Sequence, residues 1–185
     1  MKKFIITSLC AMVSGLAIAA ENPMFGQNHI NSISLHIAQG TGSGSLLKLF
    51  DPFDWNISPM TMLMAQYAQP ITIMRMPARF SANIVQNTAY NSGRGLSFLA
   101  GGLSWDITPI SYSGWYIGVG IGPYYRDNRD RWVSSRLFFG EKLFIGKNIN
   151  ENWRTEIFTI HFSNGDFTPV NHGFNFAGIA LNYSF

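Results

Sequence analysis

The sequence predicts an all-β fold, an eight-stranded antiparallel transmembrane β-barrel, and three observations in its 185 residues point there. A leader exports the chain. No stretch of about 18 continuous apolar residues follows it, which excludes a second, helical crossing. Segments of about ten residues with period-2 alternation then recur between clusters of Gly, Asn, Asp and Pro. Hydrocarbon offers no partner to backbone N–H and C=O groups, so a chain that crosses without helices has to close its sheet.

The leader carries a positive end at Met1-Lys2-Lys3, an apolar stretch from Phe4 to Leu16, and the small-x-small pattern Ala17-Ile18-Ala19. This is a secretory signal peptide, too short in its apolar part for a spanning helix. The expected division is therefore a signal peptide over 1–19 and an outer-membrane barrel over 20–185. The formal charge of +3 falls to +1 once Lys2 and Lys3 leave with the leader. A near-neutral chain without a basic stripe lacks the footprint of phosphate-backbone binding, and nucleic acid is excluded as a partner. Cys10, the single cysteine, lies inside the leader. Disulfides, a thiol nucleophile and a zinc-thiolate site are all excluded with it. At 46% hydrophobic, 15% aromatic and 12% charged, the chain has ample apolar surface with which to order itself.

The alternation is clearest from Trp115 to Ile121, where Trp115, Ile117, Val119 and Ile121 point one way and Gly118 and Gly120 the other. The last segment repeats it. Asn175, Ala177, Ile179, Leu181, Tyr183 and Phe185 share one face, and Gly178, Ala180, Asn182 and Ser184 lie opposite. Small and polar residues facing inward with an apolar, aromatic-ended row facing lipid describe a barrel wall. The same reading places strands over 30–39, 61–69, 78–88, 95–106, 115–125, 134–146, 152–163 and 174–185. With both termini in the periplasm, the connections 40–60, 89–94, 126–133 and 164–173 fall outside the cell. Pro70 and Pro77 interrupt the second hairpin, because proline cannot donate to a central ladder. Eight strands make a barrel filled by its own side chains, which disfavours a diffusion channel.

His161 and Ser163 lie two apart near the outer end of the seventh strand, so they project side by side from one face. Imidazole and hydroxyl in that relation suit a base and a nucleophile, since a serine hydroxyl is weak until a neighbour accepts its proton. On spacing alone the pair reads first as a polar pair at the membrane interface, the usual meaning of His-x-Ser in a strand, and only second as catalytic.

The stretch His161-x-Ser163-Asn164-Gly165, with Asn171-x-Gly173 and the strand closing at Phe185, resembles the outer-membrane lipid A 3-O-deacylases and their acyloxyacyl hydrolase relatives. Tyr67-Ala68-Gln69-Pro70 and Arg75-Met76-Pro77-Ala78-Arg79 are a weaker echo of the same family. The resemblance implies a hydrolase in the outer leaflet of the bacterial outer membrane that removes an ester-linked acyl chain from lipid A. It implies His161 as general base and Ser163 as nucleophile, with Asn164 and Gly165 amides and Asn171 around the oxyanion. The family's glutamate, which orients the histidine, would fall at Asn175. Here the chain departs from the pattern: an amide can hold a histidine tautomer but stabilises the imidazolium less. Asp166 in the adjoining loop is an alternative carboxylate, whereas Glu156 has inward parity and is expected to pair inside with Arg154.

The scheme requires no metal and no cofactor. Lipid A of lipopolysaccharide and outer-membrane lipids are the expected partners, and a homodimer is left open. Arg126-Asp127-Asn128-Arg129-Asp130-Arg131 and Arg94 read either as contacts to lipid A phosphates or as solvated, internally paired charge. His29, His36 and His172 read as structural or interfacial, Met60, Met62 and Met64 as wall or core packing, and 40–44 as a glycine-rich outer loop. Two competing readings stand beside the esterase: a non-enzymatic barrel with a structural or adhesion role, favoured by the missing glutamate, and a soluble periplasmic lipid-binding barrel.

Overall fold

Alternation of side chains across the wall sets the architecture of the computed structural model, which describes residues 22–25, 30–44, 55–90 and 96–185. The expected leader, His29 and Arg94 lie outside the described residues. Eight strands follow in order: β1 (Ser32–Gly42), β2 (Met60–Ile73), β3 (Met76–Ala89), β4 (Phe98–Tyr112), β5 (Trp115–Arg126), β6 (Leu137–Asn148), β7 (Trp153–Ser163) and β8 (Phe174–Ser184). Each pairs antiparallel with the next, and β8 pairs with β1 to close the barrel. The short turns 74–75, 113–114 and 149–152 lie at one end with Phe185, and the strands run into the longer connections, including 127–136 and 164–173, at the other.

The strands run further than the sequence pattern places them. β2 and β3 pair continuously through Pro70↔Arg79 and Thr72↔Pro77. Both prolines are tolerated because each lies beyond the far neighbour: β1 pairs with β2 only as far as Ala68, and β4 with β3 only from Ala78. Met74 and Arg75, both at positive φ, make the two-residue turn between them, as a primed hairpin turn requires. β4 continues to Tyr112 because Pro109 falls inside a register shift between Ile107 and Ile110, where no ladder donor is needed. β6 starts at Leu137 rather than at 134, and Gly40-Thr41-Gly42, expected in a loop, belong to β1 and form a bulge against β8.

Facing parity is as the sequence indicates in β5 and β8. Ile33, Leu35 and Ile37 are each a little over half exposed, and Ile84, Ile121, Ile157 and Ile179 continue that apolar belt around the wall. A belt of this extent belongs to lipid, not to water, and the soluble-barrel reading falls with it. Trp153, Tyr183 and Phe185 contact one another in series, with ring centroids 4.9 and 6.2 Å apart, as an aromatic girdle at the end that carries the short turns.

Inside, Arg79 donates to Asp106 at 2.7 Å and to both oxygens of Glu156 at 2.8 and 3.0 Å. Lys142 lies 2.9 Å from Asp106, and Tyr116 donates to Glu156 at 3.1 Å. Two cations against two anions leave this buried cluster neutral, the condition under which such charges persist away from water. Glu156 does face inward, but its partner is Arg79 across the barrel; Arg154 donates to Ser184 Oγ at 2.6 Å and to nearby carbonyls. Phe138, Phe144, Phe158 and Phe162, all buried, fill lumen on either side of the cluster, with Met60, Met62 and Met64 packed in the same core. His36 is also buried within it, edge-on to Phe158. Arg126 turns in at the outer end, pairs with Asp130 and lies over the rings of Phe98, Phe138 and Phe174, so it is not offered to phosphates.

Candidate active site

The odd residues of β7 point outward, which sets His161 and Ser163 on the outer face near the end of the strand that leads into a long loop. Register supplies their neighbours. His161 is paired with Asn175 on β8 and with Glu141 on β6, and Ser163 with Phe139. The bulge in β1 brings Gly42 opposite Asn175. A single row, Glu141, His161, Asn175 and Gly42, thus crosses four strands. The row is outward but covered: His161 and Ser163 are only 5% and 7% exposed. A cavity of about 320 Å³ opens over it, lined by Ser43, Gly44, His161, Asp166, Asn171 and His172.

Asn175 Oδ1 lies 2.6 Å from His161 Nδ1. An amide oxygen only accepts, so Nδ1 carries the proton and Nε2 keeps its lone pair, the tautomer a general base needs. Gly173 keeps that edge of the ring clear. It sits at φ +69°, and a Cβ there would lie 2.5 Å from His161 Cε1 and 3.2 Å from Nε2. Among the described residues no hydrogen bond joins Ser163 Oγ to His161. The two share a face and a strand, and nucleophile–base contacts of this kind often tighten only with substrate bound.

The turn after Ser163 is organised by Asn164, which is fully buried. Its side chain accepts from the Asp166 amide at 3.0 Å and donates to Val170 O at 3.1 Å and to Thr168 Oγ1. Its own amide donates to Asn171 Oδ1 at 2.9 Å. The Asn164 amide, expected at the oxyanion, is therefore engaged within the loop. A backbone N–H fixes which end of the Asn171 amide faces it, so Nδ2 points away, donates to Asp166 Oδ1 at 2.8 Å, and retains one hydrogen. The Gly165 amide has no acceptor among the described residues. Asn171 Nδ2 and the Gly165 N–H are thus two donors that this turn leaves unspent.

The loop is tied to its neighbours through backbone. Val133 bridges Asn171, the Ser134 amide donates to Val170 O at 3.1 Å, and the His172 amide to Trp132 O at 2.6 Å. Gly44 in turn donates to His172 O at 2.7 Å, which holds the residues just after β1 beside the site. His172 also lines the cavity, so it borders the site. Asp166 braces Asn171, and no bond from it to His161 is present among the described residues. Glu141 is the site neighbour that sequence reasoning missed. The signal was a carboxylate within an otherwise apolar outward row, Leu137, Phe139, Leu143 and Ile145.

The profile of the lipid A 3-O-deacylase (PagL) family matches residues 49–184. Among solved structures, the crystal structure of the outer membrane enzyme PagL superposes with a TM-score of 0.59 at 12% identity, covering 84% of this chain and 99% of that one. At that identity the likeness is one of fold, the closed barrel. No curated protein sequence matches the chain. The profile match spans well over half of the sequence and includes every residue of the site from Glu141 to Asn175, and on it the chain belongs to the lipid A 3-O-deacylase family.

Proposed function

We propose that this outer-membrane lipid A deacylase cleaves the acyl ester at the 3 position of lipid A, with Ser163 as nucleophile and His161 as general base. The observation that carries the reading is the 2.6 Å contact between His161 Nδ1 and Asn175 Oδ1 on the outward face beside Ser163. In the scheme, His161 Nε2 takes the Ser163 proton as Oγ attacks the ester carbonyl. The oxyanion is met by Asn171 Nδ2 and the Gly165 amide. Collapse of the intermediate expels the sugar oxygen, which His161 protonates, and the acyl group stays on Ser163. Water, deprotonated by His161, then releases the fatty acid and restores the serine.

The placement suits the substrate. A lumen packed with side chains admits no lipid, whereas a site on the outer wall near the extracellular rim meets the ester just below the headgroups. Lipid A then arrives by lateral diffusion. All the proposed residues come from one chain, so the chemistry requires no second copy. Mass spectrometry of lipid A from cells expressing the protein tests the reading: one acyl chain is lost, and Ser163→Ala abolishes the loss. An unchanged lipid A profile with the wild-type protein would favour a structural barrel, the reading that Asn175 in place of a carboxylate supports.

A further inference from the structure

Glu141 stands where a charged side chain is least expected. It lies on the outward row of β6, between Phe139 and Leu143 along the strand, and its direct cross-strand neighbours are Ile121 on β5 and His161 on β7. Its Oε2 is buried and has no hydrogen-bond partner among the described residues. Carboxylates on the lipid face of a barrel are disfavoured unless something holds them there. Of its two direct cross-strand neighbours, only His161 is polar. On the imidazole's other flank stands Asn175, which binds Nδ1 but brings no charge.

We propose that Glu141 is a positioning residue, the acidic partner of His161, supplying from β6 the negative charge that Asn175 does not supply from β8. The inference rests on the reading of His161 and Ser163 as base and nucleophile. Directly opposed residues of an antiparallel pair have Cβ atoms about 5 Å apart, within reach of a Glu carboxylate acting on an imidazolium. The two roles of a triad acid are then divided. Asn175 fixes the tautomer, and Glu141 stabilises the positive charge that appears when His161 holds the serine proton.

The experiment uses the full-length protein in detergent micelles with lipid A as substrate, and heat-modifiable gel migration establishes that each variant is folded. Glu141→Gln keeps the shape but removes the charge, and it should lower kcat by about 10- to 100-fold, the loss expected when one unit charge at this range is removed. KM should stay within about threefold, because the interaction is made only once the imidazolium forms. The double variant Glu141→Gln/Asn175→Glu should recover most of the lost rate, since the carboxylate returns on the other flank. A merely structural Glu141 gives the double variant only the gain that Asn175→Glu brings to the wild type, whereas the proposal requires a larger one. A folded Glu141→Gln protein with wild-type kcat, or a slow one that gains no more from Asn175→Glu than the wild type does, overturns the proposal. Ser163→Ala is assayed alongside: activity surviving that change overturns the site assignment itself, and with Ser163→Ala inactive the failure belongs to Glu141 alone.

Discussion

Asn175 and His161 face each other across the β7–β8 ladder, Oδ1 to Nδ1 at 2.6 Å, on the outer wall of the barrel. This contact fixes which imidazole nitrogen is basic. Asn175→Ala removes it and frees the ring to take the other tautomer, so kcat should fall on the order of 10²-fold while the barrel still folds. Asn175→Glu should raise kcat. It restores an acceptor with charge and eliminates Asn175 Nδ2, which is buried without a partner. Steady-state hydrolysis of lipid A in micelles checks both directions.

Gly173 is required by two features at once, its positive φ and its approach to the imidazole edge. Gly173→Ala drives a methyl group into Cε1 and the face from which Nε2 works. The ring has to tilt, and displacement of a reacting group by about 1 Å is worth ~10²-fold in rate. The expected result is a folded, heat-modifiable barrel with strongly reduced kcat.

Asn171 is held by the Asn164 amide so that Nδ2 is left to serve a ligand. Asn171→Ala should therefore lower kcat by about 10²- to 10³-fold, the range for loss of one oxyanion donor. Asp166→Asn should leave the rate nearly unchanged, because an amide oxygen still accepts from Asn171. Parallel kcat measurements on the two variants separate the donor from its brace.

Arg79 bridges Asp106 and Glu156 in the lumen, remote from the outer face. Arg79→Ala strands one or both buried carboxylates and should destabilise the barrel by about 3–5 kcal/mol. Urea unfolding in micelles reads this as a lower midpoint, and activity below that midpoint should be close to wild type.

Much of this was legible in the sequence, for reasons that can be named. Period-2 alternation is local, so the outward rows of β5 and β8 and the shared face of His161 and Ser163 follow from parity alone. The β2–β3 hairpin was shortened in the reading because a proline's tolerance depends on whether a strand lies on its N–H side, and that is known only once β1 and β4 are seen to stop. The partner of Glu156 was missed because lumen contacts cross the barrel: Arg79 is 77 residues away. Glu141 escaped notice for a related reason. Its pairing with His161 is set by the β6–β7 register, which no pattern within either strand reveals. The engagement of the Asn164 amide depends on the path of an irregular loop, for which residue type gives no periodic signal.

The account stands on a serine activated by His161 at the lipid-facing wall. The most direct measurement is covalent labelling of the folded protein in micelles with a lipophilic phosphonate, followed by peptide mass spectrometry. The label should fall on Ser163 and should be lost in His161→Ala. A label on another serine, or undiminished labelling of Ser163 when His161 is removed, would contradict the account.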